Sequence, residues 1–193
     1  MSATEPLQLV VGLGNPGKEY AQTRHNAGFW FVEALAAAYH EQFRTEPKFK
    51  AELAALDIAG HKVRVLKPLT YMNLSGQSVL AVSRFYKIPL GAVLVVHDDL
   101  DLEVGTIKLK WSGGHGGHNG LRDISQKMGK DYWRLRIGVS HPGDKHRVTD
   151  FVLGRPSQAD RQAMEQAIDK GLRAIEDIVN GETQAAMQYL HSK

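Results

Sequence analysis

LQLVVGLGNPG, residues 7–17, is an apolar run that passes directly into a glycine-rich turn. This pattern is typical of a buried strand followed by a tight loop. A second apolar run, Ala92–Val96, leads in the same way into a histidine and two aspartates. Strand patterns alternate with helical patterns along the chain, which predicts an α/β fold with a mixed or parallel sheet and helices on its faces. Ligand sites of such sheets lie beyond the strand ends, so Asn15 and Asp98 are candidate site residues.

The other periodic segments fit the same layered arrangement. Apolar residues recur at helical spacing from Asn26 onward, and a second helical pattern opens at Asn73-Leu74-Ser75-Gly76. Two strand-like runs within Ala51–Leu66 flank Gly60-His61 and predict a hairpin. The remaining predicted elements are strands at Thr106–Leu109 and Trp133–Val139, a helix at Leu121–Met128, and helices from Ser157 onward with a break near Asn180-Gly181. With 193 residues, the chain is expected to form one domain over residues 1–193 with a helical C-terminal region.

The composition excludes several classes of site. The chain has no cysteine, which excludes disulfides, thiolate metal sites and a cysteine nucleophile. No stretch approaches the ~20 apolar residues that span a bilayer, and the N-terminus lacks the pattern of a secretory signal, so a cytoplasmic location is expected. The formal net charge of +3 is a mild basic bias. Many housekeeping proteins share that bias, but it would also suit a substrate that carries phosphates.

Two polar elements follow the first strand, and each has a structural and a functional interpretation. The turn Gly12–Gly17 could be a dinucleotide loop, yet Pro16-Gly17 replaces the usual entry into a helix. It could equally be a simple turn, or a loop that fixes Asn15, whose amide both donates and accepts. His25 could be a surface or capping residue, or a base that the N-terminus of the following helix keeps neutral near pH 7. Asn26 fits the N-cap position of that helix.

Polar residues at two later strand ends carry the same ambiguity. Asn73 or Ser75 could serve only to cap the helix that follows, and Met72 could be a core residue or an apolar contact for a ligand. Asp98 could orient an imidazole and stabilise its cation. The histidine and aspartates around it could instead hold magnesium or manganese. Consecutive strand residues point to opposite faces, however, and cannot all converge on one ion.

The glycine-dense segment Ser112–Gly120 contains His115, His118 and Asn119. Its glycines allow backbone conformations closed to other residues and a close approach to a ligand. The two histidines could suggest zinc, but no cysteine and no H-E-x-x-H pattern supports such a site. Basic residues occur on both sides of the segment, either as a solvated face or as a surface for phosphates. They are Lys108, Lys110, Arg134, Arg136, Lys145 and Arg147.

Taken together, these motifs resemble the bacterial peptidyl-tRNA hydrolase family. The matching segments are GLGNPGKEYAQTRHNAG at 12–28, TYMNLSG at 70–76, HDDLDLEVG at 97–105, SGGHGGHNGL at 112–121 and RLRIGVSHPGDK at 134–145. They stand in the family's order, whereas the C-terminal helices resemble the family only in pattern. The resemblance implies a single α/β domain with a mixed, twisted sheet surrounded by helices. It also implies hydrolysis of the ester that joins a peptide to the terminal ribose of tRNA.

By matching position, the resemblance assigns roles to individual residues. His25 would be the catalytic base and Asp98 its partner. Asn15, Asn73 and Asn119 would line the cleft and hold the peptide or the scissile carbonyl. The implied substrate contacts are Tyr20, Met72 and His118 along the channel, and Lys108, Lys110, Arg136 and Lys145 on the tRNA phosphates.

The chemistry that these residue types permit is ester hydrolysis by water. A neutral His25 would take a proton from water, and Asp98 would stabilise the imidazolium. An asparagine amide, from Asn73 or Asn119, would donate to the oxyanion. No G-x-S-x-G elbow is present, which argues against a serine nucleophile. We expect a monomer that needs neither a metal nor a cofactor.

Two other classes of function stay open at this point. One is a non-catalytic RNA-binding relative of the same fold, against which the intact His25 and Asp98 argue. The other is a nucleotide-binding oxidoreductase built on the first glycine turn. That class requires an acidic ribose partner downstream of a second strand, and the sequence offers no convincing one.

Overall fold

Seven strands form one mixed sheet in the computed structural model, which describes residues 5–192. The strands are β1 (Leu9–Gly12), β2 (Arg44–Glu46), β3 (Ala51–Ile58), β4 (His61–Pro68), β5 (Val93–Asp99), β6 (Ile107–Trp111) and β7 (Trp133–Gly138). Their order across the sheet is β2-β3-β4-β1-β5-β7-β6. β4, β1, β5 and β7 pair in parallel, whereas β3 and β6 join them antiparallel on either side. The carboxyl ends of the four parallel strands therefore meet at one edge of the sheet.

Two layers of helices cover the sheet. The helices are α1 (Ala27–Ala38), α2 (Ser75–Phe85), α3 (Asn119–Met128), α4 (Val148–Val152), α5 (Gln158–Val179) and α6 (Thr183–His191). In β5, Leu94 and Val96 pack into the core formed with α1, α5 and α6. Val93 and Val95 pack into the core formed with α2 and α3. Because β5 is covered on both faces, its sequence is a continuous apolar run rather than an alternating one. Among the described residues, no helix is both long and apolar enough to cross a bilayer.

The predicted α/β fold, with its mixed sheet and helical C-terminal region, is confirmed. The predicted hairpin is β3–β4, but it turns at Ala59-Gly60, one residue earlier than expected, and both turn residues have positive φ, 52° and 82°. Left-handed conformations at both positions suit the twist of a two-residue hairpin. The first strand begins at Leu9 rather than Leu7, whose amide instead donates to Val179 at the end of α5. β2 and α4 were not predicted, because three and five residues are too short for a periodic signal.

A glycine lets the start of α1 lie directly against the sheet. A Cβ at Gly28 would come within 3.0 Å of backbone atoms of Val96 in β5 and of Leu13 beyond β1. Such approaches are closer than real Cβ atoms make, so only glycine fits without movement of the backbone. The 3-10 turn Arg24–Asn26 immediately precedes α1. The close packing at Gly28 therefore sets where His25 lies relative to the end of β5.

We predict that Gly28→Ala lowers the free energy of unfolding by about 1–3 kcal/mol or more, because the added methyl overpacks a backbone contact. Urea denaturation measures this difference. The matched control is Gly114→Ala, since a Cβ at Gly114 would have nothing within 4 Å. The control should stay within about 0.5 kcal/mol of the wild type. Equal stabilities of the two variants would show that α1 can move away from the sheet without penalty.

Candidate active site

A cleft of about 510 Å³ opens at the carboxyl edge of the parallel strands. His25 enters it from the turn before α1, Asn15 from the loop after β1, and Asp98 from the end of β5. Further lining residues come from the starts of α2 and α3 and from β6 and β7. The cleft thereby brings together nine of the twelve predicted site residues: Asn15, His25, Met72, Asn73, Asp98, Lys110, His118, Asn119 and Arg136.

Three predicted substrate contacts lie outside the lining. Tyr20 is half-buried and packs edge-to-face on Tyr71, with ring centroids 6.3 Å apart, and it is Tyr71 that borders the cleft. Lys108 lies two positions before Lys110 on β6, and residues at that spacing share one face of a strand. Lys145 is exposed in the turn before α4. Neither lysine lines the cleft, and their contact with phosphates stays a prediction.

His25 and Asp98 form a buried, hydrogen-bonded pair. The Nδ1 atom of His25 lies 3.0 and 2.9 Å from the two carboxylate oxygens of Asp98. The two residues are only 9% and 3% exposed. A carboxylate can only accept, so Nδ1 carries the proton and Nε2 of the neutral ring keeps a lone pair. Within residues 5–192, Nε2 makes no hydrogen bond, and the ring borders the cleft.

The charge of Asp98 sets the protonation of His25. Burial lowers the pKa of His25, but the charge of Asp98 and the hydrogen bond to it raise the pKa by more, and the net direction is upward from 6.5. The interpretation that the following helix keeps His25 neutral stays a prediction, and Asp98 shifts the pKa in the opposite direction. α1 begins two residues later, and a full negative charge at 2.9 Å outweighs the partial charge of a helix end.

Asp98 stays ionised in spite of its burial. Burial raises the pKa of Asp98. The charges and hydrogen bonds of His25 and His118 lower it by more, and the net pKa lies well below its usual range. The second contact is a 2.9 Å hydrogen bond from Nε2 of His118 to Oδ1 of Asp98. The base of the cleft therefore holds a fixed negative charge, which can stabilise an imidazolium at His25.

The same three side chains are close enough to meet a metal ion. Among the described residues, one ligand-type atom from each of His25, Asp98 and His118 lies within 4.8 Å of the other two. In the hydrogen-bonded arrangement, the two nitrogens that face Asp98 carry protons, so neither offers a lone pair to an ion. The neighbouring Asp99 accepts from Nε of Arg136 at 2.8 Å and does not join the group. The expectation that no metal is needed stays a prediction.

Asn15 is held by the main chain of a neighbouring turn. Its Oδ1 accepts from the backbone amide of Met72 at 2.7 Å, which leaves Nδ2 as the donor at the cleft. Asn26 in turn accepts from the Asn15 amide and donates to the Asn15 carbonyl, at 2.9 Å each. Asn26 occupies the N-cap position of α1 but makes no side-chain cap. Its supporting role was missed because its partner lies 11 positions away and leaves no local signal.

The other two asparagines stand at the mouth of the cleft, and both are exposed. Neither Asn73 nor Ser75 caps α2 through its side chain, because Ser75 instead donates to the Met72 carbonyl at 2.7 Å. Oδ1 of Asn119 accepts from Arg122 at 2.9 Å. The Nδ2 group of Asn119 therefore remains free to donate.

A buried arginine shapes the glycine-rich loop that follows β6. Arg134 is 2% exposed and donates to the carbonyls of Gly113 and Gly114 at 2.7 Å each. β6 runs antiparallel to β7 and ends beside Trp133, the first residue of β7. The clamp by Arg134 turns the loop back along the sheet, so that His118 can reach Asp98. In the sequence, Arg134 was one of several basic residues with no signal to set it apart.

Comparison with known proteins agrees with this geometry. A sequence model of the family described as peptidyl-tRNA hydrolase matches residues 9–193. A peptidyl-tRNA hydrolase of Ruthia magnifica subsp. Calyptogena magnifica is 50% identical over 188 residues, covering 97% of this chain and 98% of the relative. One of Neisseria gonorrhoeae is 51% identical over the same length and shares. The crystal structure of peptidyl-tRNA hydrolase from Acinetobacter baumannii superposes with a TM-score of 0.96 at 50% identity, covering 100% of this chain and 98% of that one. The chain belongs to the peptidyl-tRNA hydrolase family.

Proposed function

We propose that this protein hydrolyses the ester bond of peptidyl-tRNA, with His25 as general base, water as nucleophile, and no metal or cofactor. The observation that carries the proposal is the buried His25–Asp98 pair: the His25 ring borders the cleft, and its Nε2 has no hydrogen-bond partner among the described residues. The substrate class follows from the family to which the chain belongs. The whole chain acts as one domain, and as a monomer, because a single chain supplies every residue that this chemistry requires.

The reaction begins when Nε2 of His25 takes a proton from water. The oxygen of that water attacks the ester carbonyl and forms a tetrahedral intermediate. Asp98 stabilises the imidazolium that results, and it holds the ring through Nδ1 throughout. The imidazolium then gives its proton to the departing ribose oxygen, so that free peptide and free tRNA leave and His25 returns to its neutral form.

The three asparagine side chains bind different groups of the peptidyl part of the substrate. Asn73 and Asn119 stand at the cleft with no partner for Nδ2 among the described residues, so either can donate to the oxyanion. Loss of one such donor costs roughly 3 kcal/mol in other esterolytic sites. Asn15, whose Oδ1 is occupied by Met72, offers Nδ2 to a carbonyl of the peptide.

The tRNA side is served by the basic surface beside the cleft. Lys110 and Arg136 line the cleft itself, and Asp99 fixes the guanidinium of Arg136. Lys108 and Lys145 continue the positive charge outward. Such a surface suits phosphates, which position a nucleic acid without reading its sequence. A non-catalytic RNA-binding role is less well supported, because binding alone does not require a buried histidine–aspartate pair.

We expect His25→Ala to lower kcat by about 100- to 10,000-fold, because the general base is lost. Single-turnover rates on N-acetyl-aminoacyl-tRNA measure the chemistry, and a binding assay with the same tRNA should change by less than about twofold, since the base makes no phosphate contact. His61→Ala is the control, because His61 begins β4 at the opposite edge of the sheet. Residual activity of His25→Ala within about threefold of the wild type would rule out His25 as the base.

We expect Asn15→Asp to weaken discrimination between N-acetyl-aminoacyl-tRNA and free aminoacyl-tRNA. The carboxylate can still accept from the Met72 amide, but it replaces the free donor with a negative charge that attracts an α-ammonium. The ratio of kcat/KM for the two substrates should fall by about tenfold or more. Asn180→Asp, exposed at the end of α5, makes the same charge change away from the cleft. A ratio that stays at the wild-type value would remove Asn15 from peptide recognition.

We expect Lys110→Ala and Arg136→Ala each to reduce the slope of log Kd against log salt by roughly one unit, since each loses one phosphate contact. KM should rise more than kcat falls. Lys62→Ala, an exposed lysine near the start of β4, is the matched control. If the double variant keeps the wild-type salt slope, the phosphates bind another surface.

A further inference from the structure

His118 contacts Asp98 as closely as His25 does. Its Nε2 lies 2.9 Å from Oδ1 of Asp98, and its ring centroid lies 4.8 Å from that of His25. The imidazole is 8% exposed, so the hydrogen bond is shielded from solvent. One carboxylate is thus held by two imidazoles that come from different parts of the chain.

The start of α3 fixes which nitrogen of His118 carries the proton. Nδ1 of His118 lies 3.1 and 3.4 Å from the backbone amides of Gly120 and Leu121, the second and third residues of α3. An amide N–H only donates, so Nδ1 must be the acceptor and the proton must lie on Nε2. That proton points at Oδ1 of Asp98. His118 is therefore an N-cap that accepts with one nitrogen and donates to the carboxylate with the other.

We propose that His118 is a positioning residue for the base: its Nε2–H holds the Asp98 carboxylate in the orientation that His25 requires and takes up part of its negative charge. This role rests on the proposed function and differs from a contact to the substrate. A carboxylate that shares its charge with a second donor attracts the proton on His25 less strongly. The base then releases its proton at a lower pH than it would opposite Asp98 alone.

The surrounding charges do not duplicate this effect. Besides His25, Asp98 and His118, the charged or titratable side chains that line the cleft are Tyr71, His97, Asp99, Asp101, Lys110, His115, Arg134 and Arg136. Burial lowers the pKa of His97 to about 4, so its ring, 5.3 Å from that of His118, is neutral in the working range. Asp99 is paired with Arg136, and Arg134 is bound to loop carbonyls. α4 lines the cleft only with Val148, Thr149 and Val152, which carry no charge.

Two substitutions separate the cap from the contact to Asp98. His118→Asn keeps a side-chain acceptor near the position of Nδ1 and should still cap α3, but it is too short to reach Asp98. His118→Gln places an amide donor near the position of Nε2 and can restore that bond. His141→Asn is the control, because Nδ1 of the exposed His141 likewise accepts from a backbone amide, that of Gly143, outside the lining of the cleft. Circular dichroism verifies that each variant keeps its helix content.

The measurements are the NMR titration of the His25 ring in the free protein and the pH profile of kcat/KM on N-acetyl-aminoacyl-tRNA. With His118→Asn, the His25 midpoint and the acidic limb should both move upward by about one unit, and kcat at pH 7 should fall about tenfold. KM should change little. His118→Gln should recover most of each change, and Asp98→Asn should move the His25 midpoint downward, because it removes the negative charge.

Three results would overturn the proposal. One is a wild-type His118 whose ring nitrogen shifts place the proton on Nδ1. Another is a His25 midpoint that His118→Asn leaves unchanged or moves downward. The third is that His118→Asn raises KM and leaves kcat and the His25 midpoint unchanged, which would make His118 a substrate contact. Because the titration uses no substrate, it tests the link from His118 to His25 independently of the reaction. Retained activity of His25→Ala would overturn the proposed function but not this link.

Discussion

A buried carboxylate needs hydrogen-bond donors, and Asp98 obtains them from two histidines that lie 73 and 20 positions away in the chain. The desolvation of an unpaired ion in a protein interior costs several kcal/mol. That cost is offset only when the turn before α1 and the loop before α3 both reach the end of β5. Assembly of the site and burial of Asp98 are therefore one event. The close approach at Gly28 and the clamp by Arg134 serve the same end, because each brings one histidine to the carboxylate.

The loops at the carboxyl edge are also joined by hydrogen bonds between side chains and backbone groups. Asn26 is bonded to both main-chain groups of Asn15, and Asn15 accepts from the main chain of Met72. At the start of α2, the backbone amide of Gly76 donates to the carboxylate of Asp123 in α3 at 2.8 Å, and this bond ties the two helices together. These links join the loops that follow β1, β4 and β6. Backbone contacts fix the positions of the loops, so that the side-chain donors left over at the cleft have defined directions.

Periodicity was enough to predict the layers, the hairpin and the C-terminal helices, and the family resemblance of the motifs supplied nine residues that line one cleft. Both kinds of signal are local, so they do not predict a contact between a side chain and a partner in another element. Asn26 was interpreted as a helix cap because the sequence shows the helix that follows it but not its contact with the backbone of Asn15. Arg134 could not be told apart from other basic residues, because burial and the path of the glycine-rich loop belong to the folded chain. The family resemblance did pair His25 with Asp98, but the net direction of the His25 pKa depends on how deeply both groups are buried, which only the folded chain shows.

Two adjacent carboxylates at the end of β5 face different tasks because strand side chains alternate. Asp98 turns to the two histidines, and Asp99, one residue later, accepts from Arg136 on the neighbouring strand. The first carboxylate keeps its charge deep in the cleft, where it supports a developing imidazolium. The second orients a cation at the rim, where the proposed substrate presents phosphates. The pleat of a single strand thus turns one carboxylate toward the two histidines and the next toward Arg136.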